Sequence, residues 1–263
     1  MALDDPNDDQ VPQTSLRRPS PLPWLLLALA VIAGGVYAWF RLRTPPAEPA
    51  PVAQPAAAAA PAEPEPTPEQ AAAGEAKLPD LLPKLSANPL VQKGLSGADV
   101  VRRVAVVVDN LAEGVTPRRE LAFLAPAGRF EAAPGAAGPT IAPGSYARYD
   151  AFADAVASVD EQAAVAAYRV ARPALQTAYR MLGYPGIAFD RALGKALRRI
   201  ANAPVKEGEV ALVDQSGVFT YADPKLEALP AVEKHLLRMG PRNERLVQAK
   251  ARALVTALGL PEK

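Results

Sequence analysis

Apolar residues in the C-terminal part of the chain recur every three to four positions, which is the spacing of one helix face. This spacing predicts amphipathic helices over residues 100–111, 158–182, 189–200, 224–237 and 241–258. Ser158 and Glu161 form a capping-box pattern at the start of the second helix, and Pro173 is expected to kink or interrupt it. Asp223 is predicted to cap the fourth helix, and Gly240 separates that helix from the last one.

Strand patterns are much scarcer than helical ones. Residues 210–213 and 218–221 flank the turn sequence Asp214-Gln215-Ser216-Gly217 and predict a small β-hairpin. Residues 116–140 are rich in Gly, Pro and Ala and are predicted to be mainly loop. The predicted fold class is therefore mainly α, a helical bundle with one small β-hairpin.

One stretch near the N-terminus is predicted to span a membrane. Residues 22–40, LPWLLLALAVIAGGVYAWF, contain no charged side chain. As a helix they would extend about 28 Å, close to the thickness of the hydrocarbon core of about 30 Å. Trp24 and Trp39 lie near its two ends, where aromatic rings favour the headgroup level. The chain is thus predicted to be a single-pass membrane protein with an acidic N-terminal tail, residues 1–21.

A cleaved secretory signal is the alternative, with Arg17 and Arg18 as its basic region and Val36-Tyr37-Ala38 as its cleavage site. The length of the apolar stretch favours the membrane helix. Two arginines on each side leave the orientation undecided by charge. A short tail before the helix and a long part after it favour a cytoplasmic N-terminus and a periplasmic domain at the inner membrane of a bacterium.

Residues 41–79 are rich in Pro and Ala and poor in large apolar side chains, a composition typical of a disordered linker. Such a chain samples polyproline II structure and holds the following domain away from the bilayer. A plain spacer is favoured over a Pro-rich docking motif for a partner. The remaining residues, 80–263, are predicted to form one mainly helical soluble domain.

The composition excludes several kinds of chemistry. The chain has no cysteine, which excludes disulfide partners, thiolate catalysis and thiolate metal sites. No phosphate loop, paired-histidine metal helix or dinucleotide fingerprint occurs, and no cofactor or metal is expected. The net charge of +1 gives no support to nucleic-acid binding. His235, the single histidine, is interpreted as an ordinary helix residue rather than a general base.

Polar residues cluster at the predicted ends of these elements. Caps and turns need Asp and Asn at such places, which is the structural interpretation of the clusters. The functional interpretation is a pocket that hydrogen-bonds a glycan or peptide and pairs with an anionic group. The candidate ligand-binding residues are Asp109, Asn110, Tyr146, Arg148, Tyr149, Asp150, Tyr184, Tyr221, Asp223, Arg238 and Asn243.

The order and spacing of these clusters resemble a known bacterial family. The motifs are Val108-Asp109-Asn110-Leu111, Tyr146-x-Arg148-Tyr149-Asp150, Leu182-Gly183-Tyr184-Pro185, Ala222-Asp223-Pro224, and Leu236-Leu237-Arg238-Met239-Gly240-Pro241 with Asn243. They resemble the domain-of-unknown-function family DUF3014 over about residues 78–260. The resemblance implies an N-terminal membrane helix, a Pro/Ala-rich linker and an envelope setting. It implies no activity and marks the motif residues as a possible site.

Three functions remain open from the sequence. The first is a non-enzymatic envelope module that binds or scaffolds a protein, peptide or glycan at a distance set by the linker. The second is an envelope-acting enzyme that uses carboxylates such as Asp109, Asp150 or Asp223, provided that two of them face one cleft. The third is regulation, in which the acidic N-terminal tail contacts a cytoplasmic partner.

Overall fold

The helical pattern of the sequence is borne out in a computed structural model that describes residues 65–97, 99–136 and 138–261. These residues belong to one compact unit, Pro64–Lys263. The predicted tail, the predicted membrane helix at residues 22–40 and most of the predicted linker lie outside the described residues. Over the described ranges, no helix is both long and apolar enough to cross a bilayer.

Most of the described residues are helical. In chain order the helices are α1 (Pro68–Ala76), α2 (Leu78–Leu81), α3 (Pro89–Leu95), α4 (Val100–Ala112), α5 (Pro143–Ala147), α6 (Asp150–Ala157), α7 (Glu161–Met181), α8 (Phe189–Ala201), α9 (Pro224–Glu227), α10 (Ala231–Arg238) and α11 (Gly240–Leu258). Single 3₁₀ turns lie at Leu82–Leu85 and Ala122–Leu124. The strands are β1 (Ala132–Gly135), β2 (Gly138–Ile141), β3 (Leu212–Gln215) and β4 (Val218–Tyr221).

The central core lies where α4 packs against α7 and α8. Small side chains such as Ala105 on α4, Ala174 on α7 and Ala196 on α8 are almost fully buried, so the helices approach closely. Phe189 and Leu175 supply the larger apolar volume. Residues of the predicted apolar stripes such as Val101, Val108 and Leu175 are buried here, and alanines that those stripes did not include are buried beside them.

Helix α1 lies inside the range 41–79 that the composition assigns to the linker. Thr67 and Gln70 form a capping box at its start. Gly74 packs so closely on α7 that an added Cβ would lie 2.5 Å from the carbonyl oxygen of Val170. Among the described residues the first helix thus begins at Pro68, because a proline in the first turn is compatible with a helix and the following Ala and Gln residues favour one.

Helix α7 corrects the predicted N-cap and excludes one of the two predicted effects of Pro173, an interruption of the helix. Asp160, rather than Ser158, is the N-cap, and its Oδ1 accepts a hydrogen bond of 2.7 Å from the amide of Ala163. The Ser158 hydroxyl instead donates to the carbonyl of Ala155 and contacts Ser86. The helix also continues through Pro173 without interruption, because packing against α1, α4 and α11 outweighs the loss of one backbone hydrogen bond.

The helix predicted over residues 224–237 is two helices, α9 and α10. Pro230 is the N-cap residue of α10. Its ring disfavours helical backbone at the preceding residue, which separates the two helices. The predicted stop and restart at Gly240 is confirmed, since Gly240 has a positive φ of 78° and opens α11.

The structure has two antiparallel hairpins in its described residues, whereas the sequence predicted one. The predicted hairpin is present as β3–β4, with its first strand shifted from residues 210–213 to Leu212–Gln215. Ser216 and Gly217 both have positive φ and form its two-residue turn. The unpredicted hairpin β1–β2 has strands rich in Gly, Pro and Ala, which carry no alternating pattern. A bridge between Thr140 and Ala211 joins the two hairpins.

Candidate functional site

Asn243 is the point where several of the candidate residues meet. It lies in the first turns of α11 and is 2% exposed. Its Nδ2 donates to the carbonyl oxygen of Tyr146 at 3.1 Å, to that of Met239 at 3.0 Å and to Asp150 Oδ1 at 2.8 Å. We call these four residues, with Arg242, the Asn243 network. The side chain of Asn243 joins α11 to the junction of α5 and α6.

Arg242 and Gly240 complete this contact from the α11 side. Arg242 donates to Asn243 Oδ1 at 2.7 Å and pairs with Asp154 at 3.0 Å, while its side chain remains 61% exposed. An added Cβ on Gly240 would lie 2.7 Å from the Tyr146 ring, and its positive φ also favours glycine. The Arg-Met-Gly-Pro and Tyr-x-Arg-Tyr-Asp motifs are therefore the two halves of one packing contact.

Tyr221 and Arg238 connect the β3–β4 hairpin to α10. The hydroxyl of Tyr221 donates to the carbonyl oxygen of Lys234 at 2.8 Å, and its backbone amide donates to Glu227 Oε2 at 2.9 Å. The guanidinium of Arg238 lies 5.8 Å from the centre of the Tyr221 ring. Burial raises the pKa of Tyr221, so this side chain stays neutral and acts as a hydrogen-bond donor.

An apolar cleft of about 400 Å³ adjoins the Asn243 network and shares Met239 with it. One wall is the segment over residues 116–126, and the facing wall is α10. The floor comes from α4, α6, α8 and α11. The lining residues are Leu111, Thr116, Pro117, Arg118, Leu121, Leu124, Ala125, Pro126, Tyr149, Phe152, Ile200, Val232, His235, Leu236, Arg238, Met239 and Val247.

Arg148 holds the 116–126 wall in place rather than lining the cleft. Its Nε donates to the carbonyl oxygen of Ala127 at 2.9 Å, and its second guanidinium nitrogen donates to that of Gly128 at 3.2 Å. The wall is also fixed in its middle, where the Phe123 ring packs against Gly94 so closely that a Cβ there would lie 2.5 Å away. The cleft therefore has a defined shape.

The cleft is positively charged as well as apolar. Arg118 and Arg238 line it, and no acidic side chain of the described chain does so. Burial, together with the charges of these two arginines, lowers the pKa of His235 to about 4, so the imidazole is neutral at pH 7. Its ring makes an edge contact with Tyr149, 5.4 Å between centres. Burial raises the pKa of Tyr149, and Arg148, Arg238 and Arg118 oppose that rise.

Asp109, Asn110 and Tyr184 lie in a separate cluster on the other side of α4. Tyr184 stacks on Tyr179 with the ring centres 4.8 Å apart. The charge of Asp109 and a hydrogen bond to it raise the pKa of Tyr184, while burial and then Asp109 raise that of Tyr179 to about 12. Asn110 Nδ2 donates to the carbonyl oxygen of Val106 at 2.9 Å, within its own helix.

Asp223 belongs to neither place. Its Oδ1 accepts a hydrogen bond of 2.8 Å from the amide of Lys225 and caps α9, as the sequence predicted. Of the eleven candidates, the structure therefore brings Tyr146, Asp150 and Asn243 into one network and puts Tyr149 and Arg238 on the cleft. The Asp109 cluster and the Asp223 cap lie elsewhere.

Sequence reasoning missed most of the cleft. Arg118 lies in a segment without periodicity, so no pattern marked it, and His235 was interpreted as an ordinary helix residue. The apolar wall residues were assigned to loop or core. The single sequence feature at that place is the charged pair Arg118-Arg119, which follows Pro117 shortly after the helix-ending Gly114. Such a pair is too common to identify a site.

Comparison with known proteins identifies one family. The family model described as "Protein of unknown function (DUF3014)" matches residues 100–255. No curated protein and no solved structure matches the chain. The matched range begins at α4 and contains the whole Asn243 network and every residue that lines the cleft.

Proposed function

The chain belongs to the DUF3014 family of proteins of unknown function, and we propose that its helical domain is the binding module of a single-pass bacterial membrane protein. The apolar stretch at residues 22–40 is its anchor, and the Pro/Ala-rich residues that follow are its spacer. In this proposal the N-terminus is cytoplasmic and the domain is periplasmic. The partner is a component of the cell envelope.

The observation that carries the binding role is the cleft. A pocket of this volume, lined mainly by apolar side chains with a few polar groups, has the character of a small-molecule or peptide site. Arg148 binds the carbonyl oxygens of Ala127 and Gly128, which directly follow the 116–126 wall, and the Phe123 ring packs against Gly94, so contacts within the chain fix the wall. A preformed site binds without a large cost for ordering the wall.

A carboxylate-based enzyme has less support, because the three acids proposed for it lie apart. Asp150 accepts a hydrogen bond from Asn243, Asp223 caps α9, and Asp109 contacts the tyrosine pair. None of the three lines the cleft. A general base works best with a pKa near the operating pH, and the pKa of His235, about 4, is far below neutrality.

Topology is the first part of the proposal to test. A periplasm-active reporter and a cytoplasm-active reporter are each fused after Lys263 in a bacterial host. We expect activity from the periplasmic reporter alone. Activity from the cytoplasmic reporter would contradict the proposed localisation and direct the search to soluble partners.

The binding role is tested by site-specific photo-crosslinking of the full chain in cells. A photoreactive residue replaces Leu124, which lines the cleft, and in the matched control it replaces Met181, which is 83% exposed and outside the cleft. We expect an adduct with an envelope component from position 124 only. Equal adducts from both positions, or none from position 124, would remove the support for the cleft as the site.

A further inference from the structure

We propose that the cleft binds the aliphatic chain of a free fatty-acid-type anion, with the carboxylate paired to Arg238 and Arg118. This inference rests on the proposed function and names the ligand class of the same site. It commits to a single-chain carboxylate rather than a diacyl phospholipid. The walls, the charge and the size of the cleft support this ligand class.

The walls match an aliphatic chain. Leu121, Leu124, Phe152 and Ile200 present hydrocarbon from different elements, and no acidic or amide side chain of the described residues lines the cleft. The floor continues into a core cluster that contains Val232 and other nearly buried side chains. A methylene chain entering here exchanges water for hydrocarbon on all sides, which stabilises it by burial rather than by directional bonds.

The charge matches an anionic head. Neither Arg118 nor Arg238 forms an ion pair within the part of the chain that the structure describes. The acid that the charge of Arg238 reaches, Glu227, is already paired with Lys234 at 2.7 Å. Arg118 is exposed at the rim and Arg238 is partly buried. A carboxylate at this mouth would accept charge-assisted hydrogen bonds from two guanidinium groups, whose planar forks suit carboxylate geometry.

The same arrangement disfavours other head groups. Burial, and then the charges of Arg118 and Arg238, lower the pKa of His235, and these two charges would also repel an ammonium group. A neutral alcohol would gain the wall contacts but not the charge-assisted bonds. The volume of about 400 Å³ lies toward the small end of the usual range for ligand pockets, about 300–1,000 Å³, which favours one chain over two.

The test is calorimetric titration of the full chain in phosphatidylcholine nanodiscs, with titrations of empty nanodiscs subtracted. Laurate is the probe, and dodecanol, dodecylammonium and acetate are the comparison ligands. We expect saturable binding of laurate at one site, weaker binding of dodecanol by about tenfold and no binding of dodecylammonium or acetate. From octanoate to laurate, affinity rises by up to about fourfold for each buried methylene.

Variants assign the binding to the cleft. Arg238→Met is expected to weaken laurate binding about tenfold and Arg118→Met about threefold, because Arg118 is more exposed. Arg119→Met, one residue away and outside the cleft, is the matched control and should leave the affinity unchanged. Leu124→Glu should abolish binding, whereas Met181→Glu should not. Circular dichroism of each variant checks that the fold is retained.

Several outcomes would overturn the inference. These are equal affinities for laurate and dodecanol, equal effects of Arg238→Met and Arg119→Met, or lysophospholipid binding more tightly than laurate. Complete labelling of the cleft by a diacyl phospholipid photoprobe would also contradict the proposal, because it would identify a diacyl phospholipid as the ligand. If laurate fails while photo-crosslinking at position 124 still captures an envelope component, this inference fails and the proposed function stands. If both fail, the proposed function fails too.

Discussion

The Asn243 network and the cleft meet at Met239, but they differ in whether their polar side chains have partners within the protein. In the network, the buried amide of Asn243 donates to three acceptors, and its oxygen accepts from Arg242. In the cleft, Arg118 and Arg238 lie beside apolar side chains, and no carboxylate lines it with them. The groups of the network satisfy one another, whereas at the cleft Arg238 contacts only the neutral Tyr221 side chain and neither arginine has an acidic partner among the described residues. Their positive charge is therefore available to an anionic ligand.

This difference distinguishes two roles that polar residues of a sequence motif can have, a structural one and a ligand-binding one. Groups that satisfy one another in a buried place lock elements into one arrangement, and removing one of them leaves the others unpaired. Groups that remain available at a preformed pocket contribute little to stability and more to binding. We therefore expect substitutions in the network to change the free energy of unfolding, and substitutions of the two arginines that line the cleft to change mainly ligand affinity.

The largest effect is expected for Asn243→Leu. The substitution leaves the carbonyl oxygens of Tyr146 and Met239 and one oxygen of Asp150 without this donor, and should lower the free energy of unfolding by about 4 kcal/mol. Urea unfolding followed by circular dichroism measures it. Asn202→Leu, at an exposed position, is the control and should cost less than about 0.5 kcal/mol. Similar losses of stability for both variants would contradict the structural role of the Asn243 network.

The pH dependence of His235 comes next. Its pKa is about 4 in the folded chain against 6.5 as the ordinary value, so the unfolded chain binds more protons between those values. The stability from the neutral imidazole is thus full above pH 6.5 and is lost as the pH falls toward 4, by up to about 3 kcal/mol. The advantage of the wild type over His235→Gln in urea unfolding should shrink by this amount.

Glu244 makes the matched comparison necessary. Burial raises its pKa to about 8, so its contribution is full below pH 4.5 and is lost as the pH rises toward 8. The slopes of His235 and Glu244 therefore oppose each other in the wild type. Both proteins of the pair contain Glu244, and its contribution cancels in their difference. A difference that does not vary with pH would contradict the burial of a neutral imidazole at the cleft.

Gly240→Ala tests the contact between the two motifs. Its Cβ would meet the Tyr146 ring at 2.7 Å, whereas a Cβ on Gly259, also at positive φ, would meet nothing within 4 Å. We expect Gly240→Ala to cost about 2 kcal/mol more than Gly259→Ala, which pays only for the left-handed backbone. Thermal unfolding of the two variants gives this difference, and equal costs would remove the packing argument.

The smallest effect on stability is expected for Arg118, the exposed arginine that lines the cleft. Arg118→Met should change the free energy of unfolding by no more than about 0.5 kcal/mol, since the side chain is exposed and lacks an ion pair among the described residues. Urea unfolding of this variant beside Asn243→Leu compares the two regions directly. A decrease of more than about 2 kcal/mol in the free energy of unfolding would give Arg118 a structural role and contradict the proposed difference between the two regions.

Local patterns were sufficient to predict much of the helical fold. The apolar stripes of α4 and α8 predicted both helices, and Gly240 correctly predicted the break before α11. Local patterns failed where tertiary contacts decide the outcome. Helix α7 continues through Pro173 because it packs against neighbouring helices. The strands of the β1–β2 hairpin consist largely of Gly, Pro and Ala without an alternating pattern, and the bridge at Thr140 joins this hairpin to β3–β4.

The sequence pointed to individual candidate residues but not to the contacts among them. Asn243 and Asp150 are hydrogen-bonded through their side chains, whereas Tyr146 takes part through its backbone carbonyl, which its residue type does not predict. The cleft depends on how the 116–126 wall lies against α10, a long-range contact that no spacing in the sequence encodes. Arg118 and His235 become neighbours only after that contact forms.

The most direct measurement uses the fact that His235 is the single histidine of the chain. Its ring Hε1 proton gives a single NMR signal in the full chain in nanodiscs, and this signal is followed while laurate is added. The account predicts a saturable shift of this signal and a rise of the imidazole pKa above its value of about 4, because a bound carboxylate favours the protonated ring. A signal and a pKa that remain unchanged at saturating laurate would contradict the assignment of the cleft as the binding site for this ligand.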